Sequence, residues 1–120
     1  MPERASPAVS GRVLLARLAE QVIAASDAVG ATAGRGRHWV TADTERLIEG
    51  VVVADTSNGQ VDVELHLVAD WPPEPLDQLA AHLRRDLRRS ASLAGLDDRL
   101  GETHVAIHDI RAPDPDAEAR

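Results

Sequence analysis

Between Arg46 and Ile110 the spacing of apolar residues changes from strand to helix and back. Leu47 to Asp55 is a nearly unbroken apolar run and predicts a strand. Ser57-Asn58-Gly59 follows, and Asn and Gly tolerate the positive φ of tight turns. From Gln60 to Asp70 the pattern alternates. Val61, Val63, Leu65 and Leu67 point one way; Asp62, Glu64 and His66 point the other. This predicts a hairpin of 47–55 with 60–69 that buries one face and wets the other. Pro72, Pro73 and Pro75 stop it, with Glu74 and Pro75 suited to the first turn of a helix. Leu76, Leu79, Ala80, Leu83, Leu87, Ala91 and Ala94 then recur at helical spacing. Gly95 closes that helix, with Leu96 folding back beyond the cap. Asp97 to Glu102 reads as a loop, and Thr103 to Ile110 as a last strand with Val105 and Ile107 on one face.

Upstream, Ser10 is a helix N-cap. Leu14, Leu18, Val22, Ala25 and Val29 form an apolar stripe that Gly30 ends as a C′ glycine would. His38 to Ala42 reads as a short strand, and whether it joins the sheet stays open. Residues 1–9 and 112–120 are predicted to be a loose tail and a disordered acidic tail, flanking one domain over 10–111. The order is α-β-β-β-α-β. A crossover helix makes the last strand parallel to the strand at 60–70. The fold class is α+β: a two-layer sandwich, a mixed sheet of three to four strands with both helices on one face.

Composition narrows the class. A chain of 120 residues with 43% hydrophobic content supports one core, and that core must be aliphatic because Trp39 and Trp71 are the sole aromatics. The lack of Cys removes disulfides, thiolate metal sites and cysteine nucleophiles. No run approaches the roughly 20 apolar residues of a membrane span, and the start has no signal-like core, so a cytoplasmic protein without direct membrane insertion is expected. The net charge of −7 argues against nucleic acid as a partner.

Several segments together resemble the alkaline shock protein family of bacterial envelope-stress proteins. The first helix ends in Ala28-Val29-Gly30, similar to the family's Val-x-Gly-Val turn, and Glu49-Gly50-Val51-Val52-Val53 resembles its Gly-Val-x-Val strand. The return strand Val61 to Ala69, the helix from Pro75-Leu76-Asp77-Gln78-Leu79-Ala80 to Leu93-Ala94-Gly95-Leu96, and the strand Val105 to Ile110 follow in the family's order. Two features depart from it. Gly11-Arg12-Val13 runs straight into helix pattern where the family has a strand, and Asp70-Trp71-Pro72-Pro73 replaces a tyrosine-glycine. The longer segment from Arg35 to Leu47 looks like an actinobacterial subtype. The resemblance implies a non-enzymatic scaffold of the envelope stress response. Such a protein associates with itself or a related member and reaches the cytoplasmic side of the membrane through a membrane-anchored partner.

Few residues carry candidate chemistry. Arg84, Arg85, Arg88 and Arg89 lie on one outward flank of the second helix, either a solvated face or a docking patch for an acidic partner, anionic lipid or phosphate. Trp39 and Trp71 are partner anchors or plugs at the ends of the core. His66, His104 and His108, with Asp62 and Glu64, invite a metal reading, but no compact ligand motif is present and scattered solvent-facing His is the plainer one. Gly34-Arg35-Gly36-Arg37 is too short for a phosphate loop, and Ser57, Ser90 and Ser92 lack a nucleophile context. No cofactor, metal or catalytic residue is assigned. A small nucleic-acid-binding or ligand-binding α+β module is the alternative.

Overall fold

Gly59, at φ 83°, closes the hairpin that the alternating pattern predicts. In the computed structural model, which describes residues 10–26, 29–32, 40–43, 46–70 and 75–111, the chain runs α1 (Gly11–Ala25), β1 (Val29–Thr32), β2 (Val40–Asp43), β3 (Arg46–Glu49), β4 (Val51–Asp55), β5 (Val61–Asp70), α2 (Leu76–Leu93) and β6 (Leu100–Arg111). β4 pairs antiparallel with β5, Val53 opposite Val63. The turn between them is tied by Thr56 N–H donating to the Gln60 carbonyl at 2.8 Å. The terminal segments 1–9 and 112–120, Trp39 and Trp71 lie outside the described residues.

The expected single strand over 47–55 is two. Gly50, at φ 80°, breaks it, so that β3 pairs with β2 in a separate two-stranded sheet while β4 stays with β5. Beyond that break β5 changes partner: Leu67 to Ala69 pair antiparallel with β1. β1 and β4 therefore share one edge of β5 end to end, and β6 runs parallel along its other edge. The result is a mixed four-stranded sheet in an α+β fold.

Three boundaries differ from the sequence reading. Helix α1 starts where expected, with Ser10 Oγ accepting from Val13 N–H, but ends at Ala25, before Val29 and Gly30. Those residues are drawn into β1, where Gly30 falls at a register shift between the pairs Val29–Ala69 and Ala31–Val68. Pro75 is the residue before α2 and not part of its first turn; its carbonyl accepts from Gln78 and Leu79. β6 starts at Leu100, three residues early, because Val61 N–H takes the Arg99 carbonyl at 2.7 Å and pulls the loop into the ladder.

The C-terminus of α2 is as its sequence indicates. Gly95 adopts φ 75°, Leu96 N–H reaches back to the Ala91 carbonyl at 2.7 Å, and Leu96 packs against the core. Val61, Val63, Leu65 and Leu67 are fully buried on the helix side of the sheet. Leu15, Ala19, Val22 and Ile23 of α1 and Leu79, Leu83, Leu87 and Ala91 of α2 meet them. The second sheet is held by polar contacts as well. Thr41 Oγ1 donates to the Val51 carbonyl at 2.6 Å, and Arg17 grips Asp43 through Nε at 2.8 Å and a second nitrogen at 2.7 Å. Asp43 is only 4% exposed, so this pair compensates a buried carboxylate.

Candidate interaction surface

The long strand β6 pairs with β5. Among the described residues nothing pairs along its second edge, a row of 12 residues on the side away from β5. Which backbone groups point outward follows from two hydrogen bonds. The Thr103 carbonyl accepts from Arg84 Nε at 2.9 Å, an atom outside the sheet, so the polar groups of Thr103 face the free edge. Alternation gives Val105 and Ile107 the same direction. The β5–β6 register then slips by one residue between Leu67↔Ile107 and Val68↔Asp109, leaving His108 as the extra residue. Alternation restarts one residue late, and Ile110 faces outward. Its N–H is taken by Asp109 Oδ1 at 2.8 Å and not by β5.

The side chains of β6 divide into two rows. Val105, Ile107 and Ile110 pack, half-buried, against the helix-side core. On the opposite face Glu102 and His104 contact each other at 3.4 Å, and Arg111 reaches Asp70 at 2.8 Å. At the slipped residue, His108 Nε2 lies 2.9 Å from Nδ1 of His66, and the rings stack. His66 Nε2 in turn lies 3.1 Å from Glu64 Oε1. A carboxylate accepts, so the neutral His66 ring carries its proton on Nε2 and takes a hydrogen bond from His108 on Nδ1. The expectation of a wet His66 is thereby corrected: the ring is 7% exposed, because the slip brings His108 over it. His104 stays apart from this pair, and the described residues contain no group of three or more potential ligands able to hold a metal ion.

All four arginines of α2 are exposed, but they are not equivalent. Arg84 is bent onto the edge of β6, Arg85 lies 3.9 Å from Asp86, and Arg88 borders a polar hollow of about 450 Å³ formed with the Thr56–Gln60 turn, Asp62 and Glu102. Arg89 borders a smaller groove of about 260 Å³ between α1 and α2, where Leu93 is 81% exposed. Sequence reasoning placed the arginines and the β6 pattern. It missed the Arg84 and Asp109 hydrogen bonds, which depend on contacts 19 residues apart and on a register slip. No helix among the described residues is long and apolar enough to cross a membrane. No protein-family model, curated protein or solved structure matches the chain.

Proposed function

We propose that this chain is a non-catalytic scaffold that works by self-association and protein contact at the cytoplasmic side of the cell envelope, as its resemblance to the alkaline shock proteins implies. The observation that carries the association is the edge of β6. A strand of 12 residues that, among the described residues, pairs on one side presents a row of backbone donors and acceptors, the usual template for a further strand. The arginine flank of α2 supports the second half of the reading. Arg85, Arg88 and Arg89 are exposed charges on a chain of net charge −7, a local basic surface suited to an acidic segment of a membrane-anchored partner.

Edge and flank separate by mutation. Reversing Arg85, Arg88 and Arg89 to Glu leaves the Arg84 bond to Thr103 and the buried stripe of Leu79, Leu83, Leu87 and Ala91 untouched. The expected outcome in the native cell is loss of envelope localisation with self-association retained. A reversed variant that localises like the wild type removes the arginine flank from the reading. A salt-dependent shift of an oligonucleotide by the wild type favours nucleic acid as the partner instead.

A further inference from the structure

We infer that β6 pairs with β6 of a second copy, antiparallel, about a two-fold axis through Ala106, and that Arg84 and Asp109 hold this edge closed in the single chain. The inference rests on the self-association reading and specifies its contact. A symmetric dimer needs a patch that complements itself under two-fold rotation. The sequence of β6 does so in one register. With Ala106 opposite the partner copy's Ala106, Val105 faces Ile107. His108 and Asp109 together then oppose His104, because the extra residue of the register slip puts two residues against one. Beyond it Thr103 faces Ile110 and Glu102 faces Arg111.

Every pair in that register matches in face and in chemistry. Val105, Ile107, Thr103 and Ile110 share the helix side, giving β-branched cross-strand pairs. Glu102 and His104 share the opposite side with Asp109 and Arg111, giving acid against base twice on each half of the dimer. The backbone directions agree as well. Thr103 and Ile110 both face outward, so in the dimer the Thr103 carbonyl of each copy accepts the Ile110 N–H of the other.

Those same two groups are the ones satisfied from within the single chain. Arg84 Nε occupies the Thr103 carbonyl, and the Asp109 carboxylate occupies the Ile110 N–H. Pairing exchanges both side-chain contacts for one backbone bond. It also frees Asp109 to meet His104 of the second copy. The two side chains thus protect an edge that would otherwise recruit any strand, and they yield to the one sequence that repays the exchange.

The chain has no native Cys, so single-cysteine variants report the register directly. Ala106→Cys places two thiols on the axis at a non-hydrogen-bonded pair, with Cα atoms about 4.5 Å apart, inside the range a disulfide spans. Mild oxidation is expected to convert it to a covalent dimer at least tenfold faster than Ser92→Cys, an exposed position on α2. Thr103→Cys alone should cross-link no faster than that control, while an equimolar mixture of Thr103→Cys and Ile110→Cys should form the mixed dimer. If the wild type sediments as an oligomer but Ala106→Cys reacts no faster than Ser92→Cys, the register is overturned and self-association stands. If the wild type is monomeric at every concentration, both fall.

Discussion

Leu83 shows what the core asks of one residue. It is 1% exposed on the face of α2 that meets the sheet, among Leu79, Leu87, Val63 and Leu65. Every buried neighbour in that cluster is aliphatic. Leu83→Ala should cost about 2–5 kcal/mol in chemical denaturation, and an unchanged midpoint would remove Leu83 from the core. Arg17→Ala tests a different physics. It strands the Asp43 carboxylate, 4% exposed, without its bidentate cation. The loss should be about 2 kcal/mol, below that of a fully buried pair because Arg17 is 36% exposed. Both residues differ in how far the sequence reveals them. Leu83 falls on a helical stripe that any reading of periodicity finds. Arg17 reads as one more charge on the polar side of α1, since its partner lies 26 residues away on a strand that is too short to show alternation.

Among the elements, those with a long internal period were legible and those defined by a distant partner were not. α2 and β5 carry their pattern over 18 and 10 residues, and the Gly95 cap announces its own φ. β1 is four residues long and owes its existence to the stretch of β5 that β4 leaves free. Gly50 is the local signal of the break between β3 and β4: an isolated glycine inside a strand marks a kink or bulge. β6 starts three residues before the strand its pattern predicts, because Leu100-Gly101-Glu102 looks like loop until β5 is there, with Val61 opposite Leu100. Its edge now carries a prediction of unusual sign. Arg84→Met keeps the aliphatic stem and removes the bond to Thr103, so the edge no longer has to be released before it pairs. Each dimer releases two such bonds, so at about 0.5 kcal/mol apiece self-association should tighten about fivefold, as read by sedimentation equilibrium. An unchanged or weakened association would show that Arg84 does not close the edge.

For the whole molecule, we propose that two surfaces divide the work: the β6 edge joins copies of the chain, and the arginine flank of α2 takes the assembly to a partner. In the proposed dimer the two four-stranded sheets become one continuous sheet, with the α2 helices of both copies on the same side. Doubling the flank raises its avidity for an acidic, membrane-held partner without any new contact, provided both copies can engage at once. The fold class was legible at this scale because layers follow from apolar faces. The proposed division of labour was not, since it depends on which edge of the sheet carries no strand among the described residues. Sedimentation equilibrium of the wild type over micromolar concentrations tests the central claim most directly. The account predicts a species of twice the 12.8 kDa of one chain, and a mass that stays at 12.8 kDa throughout would contradict it.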